Sequence, residues 1–233
     1  MSQWKMIYLA RRNPALAAED FPQAWREHSA LGRQCLNVAD RVKSVAQCSR
    51  VLERPDLPQG ATAGYDGVNL LALRDRESAD DIWNDAETLR IMRPDEPRVF
   101  STYVRNFALT AREAVIKDGA QSEVCVYLFL RPRAPGALDE VVLAPPSNSP
   151  WAQAQRLVGN RVDGARPSGY EYELIVEGWY ASVDEIAAAF AGQSVWASLP
   201  AELEARIDVA ASVCILTRVT HRRPEPVCLR PVE

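Results

Sequence analysis

"KMIYLARRNPALAAEDFPQAWREHSAL", residues 5–31, holds two segments that obey different spacing rules. Residues 5–10 form a short apolar run that ends before the turn pair Asn13-Pro14, as a strand would. Beyond it, Phe21, Ala24, Trp25, His28 and Leu31 recur in steps of three and four. That spacing puts them on one face of a helix, here expected over 18–33. Gln23, Arg26, Glu27 and Ser29 fall between them and suit a solvated face. One member of the apolar stripe is out of character: the imidazole of His28.

Working outward, residues 40–52 read as a strand, followed by a Pro/Gly-rich loop and a further strand, "YDGVNLLAL". "SADDIWNDAETLRI" (78–91) reads as a helix with Ser78 as its N-cap and acids in its first turn. "RVFSTYVRNFAL" (98–109) is expected to close the half as a strand carrying Tyr103. The order β-α-β-β-α-β is the ferredoxin-like plan. The second half echoes it. Tyr8-Leu9-x-x-Arg12 matches Tyr127-Leu128-x-x-Arg131, Ser78 matches Ser182, and Arg98-Val99 matches Arg206-Ile207, each pair opening a last strand. Pro145, Pro146 and Pro150 interrupt the place of a long first helix in the second copy. The expected fold class is therefore α+β. Two fused ferredoxin-like units, 1–115 and a degenerate 116–233, pack as an internal pseudo-dimeric α/β barrel.

A net charge of −4 over 233 residues argues against a nucleic-acid binder, which needs a basic face. No run of about eighteen apolar residues is present, so no membrane span is expected. The first residues lack the apolar core and cleavage site of a secretory signal. Five scattered cysteines without a CxxC pair suit free thiols in a reducing, cytoplasmic setting. GxGxxG, Walker, HExxH and GxSxG patterns are absent, so no cofactor and no metal is expected. A haem would have to take His28 as its ligand; His221, expected after the last strand, reads as exposed.

The 5–31 segment resembles the opening of EthD-domain proteins, members of the dimeric α/β-barrel superfamily. The shared features are a first strand ending in Arg11-Arg12, a loop with Pro14, and an F-x-x-x-W-x-x-H pattern at Phe21, Trp25 and His28. The resemblance implies a paired α/β barrel with a pocket between sheet and helices. It also implies small cofactor-free enzymes, among them dehydratases and cyclases of polyketide-type compounds. The second half has no W-x-x-H, so no second active site is expected there.

On this reading the chain is a cofactor-free lyase or isomerase acting on a hydrophobic, aromatic or polyketide-like metabolite. A neutral imidazole in an apolar cleft suits proton transfer near neutral pH, so His28 is the candidate general acid/base. Tyr8 and Tyr103 would hold a carbonyl, while Phe21, Trp25 and Tyr65 would form walls. Asp66 would orient or replace the base, or else serve as a turn residue beside Gly67. Two alternatives stay open: His28 is a core residue satisfied by a carbonyl, or the protein binds a small hydrophobic ligand without chemistry. The chain would be a monomer with an internal pseudo-dimer, or a homodimer.

Overall fold

All seven residues of "VCVYLFL" (Val124–Leu130) are buried, although successive side chains of a strand point to opposite faces. Both faces of this sheet must therefore be covered. A computed structural model, which describes residues 3–52, 57–191 and 193–223, shows by what. The first half contains β1 (Trp4–Ala10), α1 (Phe21–Leu31), α2 (Leu36–Arg41), β2 (Val42–Arg50) and β3 (Gly67–Leu73). It continues with α3 (Glu77–Asn84), α4 (Ala86–Ile91), α5 (Glu96–Val99) and β4 (Ala108–Lys117). The second half contains β5 (Val124–Leu130), α6 (Pro150–Gln153), β6 (Arg156–Asp163) and β7 (Leu174–Tyr180). It ends with α7 (Val183–Ala189), α8 (Ala201–Arg206) and β8 (Val213–Arg223).

The eight strands form one closed barrel in the order β1-β3-β2-β8-β5-β7-β6-β4, with antiparallel neighbours throughout. Each half contributes four adjacent strands, β4-β1-β3-β2 and β8-β5-β7-β6, and the order within the two sets is the same. The halves join where β2 pairs with β8 and β4 with β6. Closure leaves no unpaired sheet edge, the feature through which open sheets aggregate.

One face of every strand points into the barrel, where Ile7, Leu70, Tyr127, Phe129 and Trp179 pack together. A polar knot also lies inside. Lys5 Nζ is 2.6 Å from both Glu113 and Glu177, and Glu177 accepts further bonds from Asn160 Nδ2 (2.8 Å) and Trp179 Nε1 (3.0 Å). Burial works against the lysine's charge, but the two carboxylates outweigh it and raise its pKa. The other faces meet helices and loops in two separate outer layers, with Val51, Leu57 and Ala61 of the first half crossing onto the second layer and Tyr170 of the second half onto the first.

Several expectations are corrected. The 78–91 helix is two helices, because Asp85 turns extended (ψ 123°) and accepts from Thr88 N to start α4. Ser78 is not the cap of α3; Asp75 accepts from both its N and Oγ. Residues 98–109 are not one strand: Pro97 sits in the first turn of α5, a 3-10 turn covers Val104–Asn106, and β4 starts only at Ala108. Arg206 ends a helix rather than opening a strand, and His221 lies within β8, opposite Gln47. The Tyr8/Tyr127 echo is out of register by one. Tyr8 faces the helices and Tyr127 the barrel interior, as a one-residue slip in a strand requires.

Candidate functional site

Helix α1 has Pro22 in its first turn, where the missing N–H costs nothing, and it buries Phe21, Ala24, Trp25 and His28 against the sheet. Gly67 lets it come close: a Cβ there would stand 2.6 Å from the Trp25 ring. This seating fixes the height of His28 above β1, β2 and β3.

His28 is 5% exposed, and its Nδ1 lies 2.9 Å from Asp95 Oδ2. Asp95 is anchored in turn by Arg98, at 2.7 Å from Nε and 3.1 Å from Nη2. The Arg98 contact is the main reason the Asp95 pKa is lowered. Burial lowers the His28 pKa, with Asp95 opposing that shift. The imidazole is thus neutral at pH 7, with the Nδ1 proton placed by its carboxylate acceptor. Its edge meets the Phe100 ring at 5.4 Å. Nε2 has no hydrogen-bond partner among the described residues, and the ring lines a cavity of about 80 Å3 between the sheet and the helices.

Three strands deliver a polar row to the floor of this cavity. Tyr8 on β1 is paired with Asn69 on β3, and Asn69 with Gln47 on β2. Gln47 donates from Nε2 to the Trp25 carbonyl (3.1 Å), but its Oε1 has no partner, and neither does Asn69 Oδ1. Both amides are almost fully buried. An unpaired buried acceptor costs about 1–3 kcal/mol, which the fold tolerates most readily where a ligand supplies the missing donor. Burial, reinforced by Glu96, raises the Tyr8 pKa, so its phenol stays protonated. Glu96 is itself buried in the cavity wall. Burial raises its pKa against the Val104 amide (2.8 Å) and Arg93. Val45, Leu71, Ile82 and Met92 complete the apolar walls.

The structure brings Tyr8, Trp25 and His28 together at the cavity. It leaves the other expected site residues elsewhere. Phe21 stacks on Trp25 at 4.9 Å without lining the cavity. Tyr65 lies under the Arg11 guanidinium (4.2 Å), edge-on to Tyr170. Asp66 accepts from Arg12 N (2.9 Å) and pairs with the Arg12 side chain, tying the end of β1 to the start of β3. Tyr103 is 41% exposed beneath Arg93 (5.1 Å), because the chain there is a turn and not a strand. Asp95, Glu96, Gln47 and Asn69 were not anticipated. "GVNLLAL" held a usable signal: Asn69 is the polar exception in a strand apolar on both faces. A haem on His28 does not fit, since the space beside the ring is far smaller than a porphyrin. Among the described residues no three His, Cys, Asp or Glu side chains group as metal ligands. No helix among them is long and apolar enough to cross a membrane.

No protein-family profile matches the sequence, and no curated protein matches it. Solved structures do. An anthrone oxidase-like protein superposes with a TM-score of 0.60 at 12% identity, over 95% of this chain and 92% of the other. A candidate monooxygenase from Lactobacillus acidophilus NCFM gives 0.49 at 8% identity, over 96% of both chains. A chlorite dismutase from Candidatus Nitrospira defluvii gives 0.47 at 9%, over 94% and 92%. At these identities the likeness concerns the fold alone.

Proposed function

We propose that the chain is a cofactor-free acid/base enzyme, of lyase or isomerase type, acting on a small, largely apolar carbonyl compound. The observation that carries this reading is the His28–Asp95 pair with its second ring nitrogen left unbonded at a cavity floored by Tyr8. Nε2 of the neutral imidazole takes a proton from the carbon next to a carbonyl, and the phenol of Tyr8 donates to the developing enolate oxygen. In a dehydration the imidazolium then protonates a β-hydroxyl, which leaves as water as the C=C bond forms. In an isomerisation the proton returns to another carbon, and in a cyclisation the enolate carbon attacks a second carbonyl. A cavity of about 80 Å3 is well below the roughly 300–1,000 Å3 of drug-sized pockets. It suits a single ring, and a polyketide-like substrate would require α1 and α3 to part.

The EthD assignment belongs to this proposal, as does the division into two fused ferredoxin-like units, 1–115 and 116–233. The repeated strand order supports the division. A cytoplasmic location also belongs to the proposal, supported by the buried free thiols Cys35, Cys48, Cys125 and Cys214; Cys228 lies outside the described residues.

The test is α-proton exchange of small aryl ketones in D2O, followed by NMR. Wild type should exceed His28→Gln by about 10²–10⁴-fold, with the near-UV spectrum of the variant unchanged. Equal exchange in both, with ligand still bound, would turn the reading to a non-catalytic binding protein. The anthrone oxidase-like fold neighbour supplies a control, since an enolate can also meet oxygen. Oxygen uptake that accompanies exchange would replace the lyase reading with an oxygenase one.

A further inference from the structure

One wall of the cavity comes from the other half of the chain. Strand β8 runs past the end of its own layer to pair with β2, placing His221 opposite Gln47 and Arg223 opposite Val45. Arg223 lines the cavity and is half-buried. Its one side-chain bond among the described residues is a long one, Nη2 to the Val42 carbonyl at 3.4 Å. Arg26 on α1 and Arg33 just beyond it are exposed and bear electrostatically on His221, while Arg33 bears on Arg223. None of these three arginines pairs with a carboxylate among the described residues, in a chain that carries more acids than bases overall. Burial and the neighbouring arginines both lower the His221 pKa, as in a region of uncompensated positive charge. A guanidinium half out of water and with no carboxylate partner among the described residues is poised for an anion.

We propose that the ligand of this site is a small organic acid. Its apolar body occupies the cavity, a hydroxyl donates to the unpaired oxygen of Gln47 or of Asn69, and its carboxylate pairs with Arg223 beneath Arg26, Arg33 and His221. The inference rests on the cavity being the ligand site but not on any proton transfer there. It also gives the second half a part in the site, through β8.

Matched probes test it: 4-hydroxybenzoate, its methyl ester and 4-hydroxyphenyl phosphate, titrated calorimetrically against the whole chain at low and high salt. The acid should bind at least about tenfold more tightly than the ester, the worth of one charged hydrogen bond, and the margin should shrink with salt. Arg223→Gln should erase the margin. The exposed pair Arg26→Gln and Arg33→Gln, which carries no folding risk, should narrow it. Equal binding of acid and ester, failure of both to bind at millimolar concentration, or a margin that survives Arg223→Gln overturns the proposal. Tighter binding of the phosphate than of the acid overturns the carboxylate assignment in favour of a phosphoester. Acid preference without ketone exchange would leave this inference standing and remove the catalytic one; exchange without acid preference would do the reverse.

Discussion

The two outer layers of the barrel are built on the same strand order, yet one holds a cavity over a polar row and the other packs apolar side chains over the same strand positions. The bridges Arg12–Phe100 and Pro132–Ile207 mark corresponding points just past β1 and β5. Counting back from them, Tyr8 corresponds to Leu128. The paired neighbours then follow: Asn69 to Val176, and Gln47 to Gly159. Thus a phenol and two amides in the first half face the helices where the second half has Leu, Val and Gly. Leu143 fills the space over Gly159, where a Cβ would stand 2.8 Å from its methyl, and the Trp151 ring covers Gly178. The space left beside Trp151, Leu157 and Val176 is about 10 Å3, at or below the roughly 10–15 Å3 that one water needs. Both layers seat a tryptophan on a β-strand glycine, Trp25 on Gly67 and Trp151 on Gly178. What separates them is the polar row. A layer sealed by apolar side chains stabilises the barrel, whereas unpaired amides cost stability and are kept where they can meet a ligand.

The strongest way to break this comparison is to move the row. Val176→Asn should put an amide into a filled layer with no ligand and no water to satisfy it. The lost apolar burial and the unpaired polar group together should cost about 3–5 kcal/mol in urea denaturation. A loss under about 1 kcal/mol would mean that the second layer opens easily, and the contrast between the layers would fall. The reciprocal change is smaller and of opposite sign. Asn69→Val should remove an unpaired acceptor and raise stability by about 1 kcal/mol, while weakening binding of hydroxyl-bearing ligands. Destabilisation by Asn69→Val would show that this amide is a structural group after all.

Sequence reasoning reached the scaffold more readily than the site, and particular residues show why. The stripe of α1 was legible because burial of Phe21, Ala24, Trp25 and His28 follows from helical spacing alone. The β-α-β-β-α-β order was legible from alternation and turn residues. Asp95 was not, because its partnership with His28 spans 67 positions and depends on how α5 packs on α1. Tyr103 was misplaced with the 98–109 segment, whose apolar residues suit a strand although Pro97 starts a helix. The matching order of the two halves was visible, but pairing Tyr8 with Tyr127 set them off by one residue. In a strand that error exchanges the two faces, and it concealed the fact that the second half has Leu128, Val176 and Gly159 where the first has its polar row.

The smallest expected effect concerns His28 and the pH dependence of stability. The chain has two histidines, and both have folded-state pKa values below the usual 6.5. A histidine with a lowered pKa binds fewer protons folded than unfolded. Its contribution is therefore fully present above pH 6.5 and lost as pH falls through the folded value. Asp95, also lowered, acts in the same sense but only at the lower pH where carboxylates titrate. Glu96, whose pKa burial raises, acts in the opposite sense, so the histidines are read from the change in slope between pH 7.5 and 5.5 on their substitution. His28→Gln should flatten the part due to the cavity, and His221→Gln the rest, since the two face different surroundings and should add. Val176→Asn should lower stability at every pH without changing the slope, because burial raises the pKa of Tyr180 and Cys214 in that layer and keeps both protonated across this range. If His28→Gln left the slope untouched, the imidazole would not be losing hydration on folding as its burial implies. The neutral base on which the cavity's chemistry rests would then lose its physical ground.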